Sequence, residues 1–198
     1  MKITSLLKKS FFYLIAAELI GIIALVVTYI IHPDISGIIE GASNKIPDQV
    51  EEATGTSKVL AYIKNNGLIV PFQMFLLSFI PIPYIYAINI VSTQMIVGVL
   101  YGAVLRENMT EALKLILSSL PHSIIEIFGL CVLAAILYEF NKVILSKVRR
   151  LWNKKSVSLP FWTTFFKGAK LYVTLVLPLI IIAAFIETYV ANFLYRLL

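Results

Sequence analysis

The chain has 198 residues, of which 59% are hydrophobic and only 14% are charged. An average soluble domain carries about a quarter charged residues, so this composition excludes an ordinary soluble domain and favours lipid as the surrounding solvent. The net charge of +6 lies mainly in the N-terminal tail and in residues 139–170, a distribution typical of membrane topology rather than of nucleic-acid binding. We therefore predict an all-α polytopic membrane helix bundle that forms one domain, residues 1–198, with about five transmembrane helices.

The first predicted span covers residues 11–31, which follow a basic start. This apolar stretch is longer than the 7–15 residues usual in a signal peptide, so we interpret it as a retained helix. Residues 32–66 then hold five acidic residues against three lysines, a net charge of −2 that suits the outer side of the membrane. A short surface helix is predicted within this loop, over residues 49–63.

A stretch of 38 residues, 68–105, contains no charge. At about 1.5 Å per residue it is too long for one span, even a tilted one. The run Pro81-Ile82-Pro83 lies near its middle, and proline cannot donate to the helix ladder. We therefore predict two helices, 67–81 and 84–105, joined by a tight turn.

The segment 139–170 tests this hairpin, because it carries eight basic residues against Glu139, a net charge of +7. Such a segment belongs in the cytoplasm. It lies there only if 68–105 crosses the membrane twice. The predicted location is the cytoplasmic membrane, with the N-terminus inside, residues 106–112 outside and the C-terminus outside.

The fourth predicted span, 113–138, is interrupted by polar residues and by Pro121. We interpret it as one span broken at Pro121. A re-entrant turn over 112–120 followed by a short span fits the pattern as well. The last span covers residues 171–194.

Three carboxylates lie inside predicted spans: Glu18, Glu126 and Glu187. Counted at about 1.5 Å per residue from the cytoplasmic ends, Glu126 lies ~18 Å deep, and His122 and Glu187 lie ~24 Å deep. Glu18 lies only ~10 Å deep, so we expect a cluster of His122, Glu126 and Glu187 without Glu18. These groups either satisfy one another and hold helices together or form a proton or ion pathway. Two histidines in the whole chain supply too few ligands for a metal site to be expected.

Small residues four apart, Gly98 and Gly102, predict close helix packing, either within the chain or in a homodimer. Polar residues in the same hairpin, among them Gln73, Asn89 and Gln94, are expected to link helices.

Residues 140–155 predict an amphipathic helix that contacts lipid or a protein partner through four residues in particular: Arg149, Arg150, Leu151 and Trp152. Zinc-protease, nucleophile-elbow and phosphate-loop motifs are missing from the sequence. We predict no catalytic residue, no cofactor and no enzymatic activity.

The run Leu120-Pro121-His122-Ser123-Ile124-Ile125-Glu126 resembles the Pro-His-Gly-x-x-Glu signature of the stage II sporulation protein M family. Asn65-Asn66, Asn89 and the run Ala183-Ala184-Phe185-Ile186-Glu187 are similar to further family motifs. The resemblance covers about residues 65–192. Two positions depart from the pattern, since Ser123 replaces glycine and Asn89 has no glycine after it.

The resemblance implies a non-enzymatic membrane subunit that scaffolds or anchors a multiprotein complex. The sporulation member holds a peptidoglycan-degrading complex in the membrane during engulfment. The family is also similar to permease subunits of ABC-2-type exporters, so the alternative is a permease that works with a separate ATPase. Membrane lipids and either complex subunits or an ABC ATPase are the expected partners.

Overall fold

The structure, a computed structural model, describes residues 3–34, 54–152 and 160–198, and for Leu151 and Trp152 it describes the backbone alone. The described residues form helices joined by short turns, and they contain no strand. The predicted all-α fold is confirmed.

The first half of the chain supplies three helices. Helix α1 is Ile3–Ile31. Helix α2 is one rod made of Thr56–Tyr62, a π-helical segment Ile63–Ile69, and Val70–Leu77. A 3-10 turn at Ile85–Ala87 leads into helix α3, Ile88–Glu107.

The second half supplies two longer helices. Helix α4 is Met109–Trp152. Helix α5 is a rod of five consecutive segments, of which the second and fourth are π-helical: Phe161–Leu171, Tyr172–Val176, Leu177–Phe185, Ile186–Ala191 and Asn192–Leu197.

Four of these helices are long and apolar enough to cross a membrane: Ile3–Ile31, Ile85–Glu107, Met109–Arg150 and Phe161–Leu197. Helix α2 is the fifth rod of the bundle, and its π-helical segment carries the polar residues Lys64, Asn65 and Asn66.

The predicted hairpin is confirmed, because α2 and α3 are joined by a turn over residues 78–84 that contains Pro81 and Pro83. The predicted boundaries of its first helix were wrong. Helix α2 begins at Thr56 and ends at Leu77, rather than covering 67–81. Residues 56–63 of the predicted surface helix belong to this rod, and 49–53 lie outside the described residues. Packing explains the early start, since Val59 is buried although polar residues 56–58 precede it.

The predicted break at Pro121, and the re-entrant alternative, were wrong, because α4 continues through Pro121 without interruption. Proline removes only the bond to the Leu117 carbonyl. A re-entrant turn would leave several backbone groups unsatisfied at membrane depth, which costs more. Just before the proline, the Ser118 and Ser119 hydroxyls donate to the carbonyl oxygens of Leu115 and Ile116, each at 3.0 Å.

Helix α4 is the centre of the bundle. Every residue from 130 to 137 is buried, including the single free cysteine, Cys131. A helix that is buried on all faces must be surrounded by others. Helices α1 and α3 pack together and against α4, and α5 packs against α4 and α2.

Contacts between side chains show which segments of the chain lie at the same end of the bundle. At one end Lys9 pairs with Glu139 at 2.5 Å, Tyr84 of the 78–84 turn stacks on Tyr138, and Phe140 contacts Phe161. We call this the basic end.

At the opposite end Arg106 lies over the Tyr29 ring, and the Tyr195 hydroxyl donates to Glu111 at 2.7 Å. The N-terminal region, the hairpin turn, residues 139–150 of α4 and the start of α5 therefore share one end, the same grouping that the charge distribution predicts.

Candidate functional site: a polar cluster inside the bundle

Helices α2 and α5 each contain a π-helical turn that carries polar side chains. One turn holds Asn65 and Asn66, and the other holds Glu187. A π-helical turn inserts an extra residue and occurs often at functional sites. It also frees backbone groups, and the Gly67 carbonyl accepts a hydrogen bond from the Tyr172 hydroxyl of α5. The two rods are joined directly beside the cluster.

Helix α4 presents His122 and Glu126 to these turns. The two residues are four apart, so they lie on one helix face. His122 Nε2 lies 3.9 Å from Glu187 Oε1, and the two side chains are only 13% and 22% exposed. That separation exceeds a hydrogen bond, but it makes the two groups direct electrostatic neighbours. The structure thus brings together the three residues that the depth count grouped.

Polar side chains of α2 complete the cluster. The Tyr62 hydroxyl is placed to donate to the Glu187 carboxylate. The Asn66 amide is placed to donate to Glu126, and its oxygen accepts a bond from the Asn65 amide at 2.7 Å. Because donors surround both carboxylates, each glutamate connects α2 to another helix.

Two buried polar atoms lie in the same region without a partner among the described residues, His122 Nδ1 and Thr188 Oγ1. The described part of the chain contains no group of three or more His, Cys, Asp or Glu side chains placed to hold a metal ion. The chemistry open to the cluster is that of hydrogen bonds and protons shared between an imidazole, a phenol and two carboxylates.

Glu18 lies apart from this cluster and has its own partner. Its carboxylate accepts a hydrogen bond of 3.0 Å from Gln94 of α3, whose side chain is buried. A separate hydrogen bond joins Tyr101 of α3 to Ser119 of α4. Polar contacts inside the bundle therefore connect α1 to α3 and α3 to α4 as well.

Gly98 and Gly102 lie against α1 within the same chain. A Cβ atom built on Gly98 would lie 2.2 Å from the Gly21 carbonyl oxygen, and one on Gly102 would lie 2.5 Å from the Leu25 carbonyl oxygen. The backbones of the two helices touch at these positions, so only glycine fits.

The remaining predicted site residues lie on the rest of α4. Pro121 is half-buried within it, and Arg149 and Arg150 are exposed near its C-terminus. The side chains of Leu151 and Trp152 lie outside the described residues.

Sequence reasoning missed three members of the polar contacts: Tyr62, Gln94 as the partner of Glu18, and Tyr101. Tyr62 was missed because the predicted second helix began at residue 67. The spacing of Tyr62 and Asn66, four residues apart on one helix face, is the signal that could have found it.

The fold and its internal polar contacts define a multi-pass helical membrane protein. The chain belongs to the family described as stage II sporulation protein M, whose model matches residues 10–192. This match extends the resemblance seen in the motifs to nearly the whole chain. A comparison with curated proteins found no match, and a comparison with solved structures found none either.

Proposed function

We propose that this protein is a non-enzymatic subunit that anchors and scaffolds a multiprotein complex at the cytoplasmic membrane. The observation that carries the proposal is the length of α4. Its 44 residues form a rod of ~66 Å, whereas the hydrocarbon core of a bilayer is ~30 Å thick and the whole bilayer ~45 Å. Helix α4 therefore extends well beyond the lipid.

The extension lies at the basic end and presents groups suited to a partner. Lys147, Arg149 and Arg150 are exposed on α4. Trp162 and Phe166, at the start of α5, are 66% and 63% exposed. Arginine and tryptophan are among the residues that contribute most to protein interfaces.

The polar contacts inside the bundle support a scaffold. Side-chain hydrogen bonds link α1 to α3, α3 to α4 and α5 to α2 among the described residues, and polar side chains of α2 also lie beside Glu126 of α4. At the basic end the Asn141 amide also donates to the Ser78 and Ile80 carbonyl oxygens of the hairpin turn, each at 2.9 Å. Because hydrogen bonds connect the helices at several positions along the bundle, they would hold the projecting end of α4 at a fixed position relative to the membrane.

The test is to purify the tagged protein in mild detergent and identify the proteins that accompany it. The test variant carries Arg149→Glu and Arg150→Glu, and the control carries Arg106→Glu at the opposite end. We expect the control to keep its partners and the double variant to lose them. Equal recovery from both variants, or no stoichiometric partner from the unchanged protein, would contradict a scaffold that acts through α4.

The same projecting segment would suit a permease that docks a separate ATPase, which is the alternative function. Here the test variant carries Leu151→Ser and Trp152→Ser, and Leu197→Ser at the opposite end is the control. Recovery of an ATPase with the unchanged protein and the control, and its loss from the double variant, would favour the permease over the scaffold.

A further inference from the structure

A cavity of about 320 Å³ lies between α2, α4 and α5 near the basic end. Its walls are almost wholly apolar and rich in aromatic rings, among them Phe72, Phe75, Phe140 and Phe165. Phe72 is 60% exposed and Ala169 at the rim is also exposed. The cavity therefore opens sideways, onto the surface that faces lipid.

A second cavity of about 280 Å³ adjoins the first, and the two share Ile136, Thr164 and Gly168 as walls. Its lining is more polar than that of the first cavity and includes Glu139, Lys142 and Lys167. Gly168 keeps the shared wall thin, because even a Cβ atom there would lie 3.1 Å from the Ile136 side chain. An apolar pocket and a cationic pocket thus lie side by side at the level where α4 leaves the membrane.

The charged groups around this second cavity are only partly paired with one another. Glu139 is paired with Lys9 at 2.5 Å and with Lys142 at 2.7 Å, so its charge is already matched. Among residues 3–34, 54–152 and 160–198 no carboxylate lies within 4.0 Å of Lys167. Three lysines against one glutamate give this corner a charge of +2, which favours an anion.

We propose that one anionic phospholipid of the surrounding bilayer binds here, with an acyl chain in the aromatic cavity and its headgroup phosphate at Lys167. An acyl chain is the apolar group that lipid presents at a lateral opening of this kind. A pocket of about 300 Å³ or more with apolar walls and a few polar groups at one end is the usual form of a small-molecule site. The net positive charge selects an anionic headgroup over a zwitterionic one.

The headgroup is tested with the full-length protein in mild detergent, supplied with phosphatidylglycerol or phosphatidylcholine and examined by native mass spectrometry. Lys167→Gln is compared with Lys170→Gln, since both lysines are exposed on α5 and only Lys167 lines the cavity. The unchanged protein should retain one phosphatidylglycerol in preference to phosphatidylcholine. Lys167→Gln should reduce that preference about fivefold, the effect of one lysine near an anionic surface, and Lys170→Gln should leave it unchanged.

The acyl pocket is tested with Ala169→Trp, which fills the cavity, against Val173→Trp on the exposed surface one turn away. Ala169→Trp should remove the retained lipid, and Val173→Trp should keep it. The proposal is overturned if the unchanged protein retains no lipid, if it retains both lipids equally, or if the two lysine variants behave alike. It is also overturned if Ala169→Trp still carries the lipid.

Discussion

Tyr62 shows how much a single hydroxyl group contributes inside this bundle. It is placed to donate to Glu187, which also lies 3.9 Å from His122. Water cannot replace a lost donor at this depth as it would on a soluble surface, so a carboxylate there depends on its protein partners. Removing a single hydroxyl group from the cluster should therefore lower the stability of the protein.

We expect Tyr62→Phe to destabilise the protein by about 1–3 kcal/mol, because it leaves a buried acceptor unsatisfied. At this chain length each kcal/mol lowers the melting temperature by roughly 2–4 °C. The control is Tyr189→Phe on α5, two residues after Glu187, where the ring is exposed and the change should have little effect. Thermal unfolding in detergent measures both, and equal melting temperatures for the two variants would count against the Tyr62–Glu187 bond.

Glu126 and Glu187 belong to one cluster, so their substitutions should not add. Glu126→Gln and Glu187→Gln should each destabilise the protein by about 1–3 kcal/mol, the range for leaving buried polar partners unsatisfied. The double variant should lose clearly less than the sum, since each single change already disrupts the shared contacts. Glu107→Gln, at an exposed position, is the control. A strictly additive double variant would show that the two carboxylates act independently.

At the scale of the helix, the contact between α1 and α3 depends on the absence of side chains. The α1 face is lined by Ala17, Gly21 and Thr28, and the α3 face by Gly98 and Gly102, and all five are buried. Small residues let two backbones approach closely, which is the main source of helix association in lipid. We call this contact between α1 and α3 the glycine seam. It leaves less room for a side chain than the contacts at Gly67 and Gly129.

Two glycine-to-alanine variants separate backbone contact from ordinary packing. Gly98→Ala puts a methyl group 2.2 Å from a backbone oxygen, which cannot move without shifting α1. Gly129→Ala puts one 3.2 Å from the tip of Ile180, a side chain that can rotate. Both gain the same helix propensity, about 1 kcal/mol. We expect Gly98→Ala to lower the melting temperature in detergent and Gly129→Ala to leave it nearly unchanged, and the reverse order would contradict the seam.

The whole bundle arranges its charge so that the N-terminal region, the hairpin turn and the start of α5 meet at the basic end. Lys9, Lys142 and Lys147 lie there, and each also contacts an aromatic ring of Tyr138 or Phe161. Cations and aromatic rings together are typical of a membrane–water boundary. We infer that the basic end faces the cytoplasm.

Single-cysteine labelling in a Cys131→Ala background tests this orientation. Ser5 is exposed near the basic end, and Ser57 is exposed at the start of α2, near the opposite end. In intact cells an impermeant reagent should label Ser57→Cys and leave Ser5→Cys unlabelled until the membrane is opened. Labelling of Ser5→Cys alone would show that the protein has the opposite orientation in the membrane.

The sequence by itself determined the class of protein, the hairpin of α2 and α3, and the grouping of His122, Glu126 and Glu187. Each follows from hydropathy, from charge counts or from the fixed rise of a helix, which act locally along the chain. The depth of Glu18, counted in the same way, also separated it from that cluster.

Only the tertiary structure decided the start of α2, the continuity of α4 through Pro121 and the partners of Gly98 and Glu18. Val59 and Tyr62 lie between Lys58 and Lys64, and α5 packs against this part of α2. Pro121 leaves the helix intact because a break would expose more backbone to lipid than proline does. These outcomes depend on which surfaces meet across the bundle, and a pattern read along one chain does not contain that information.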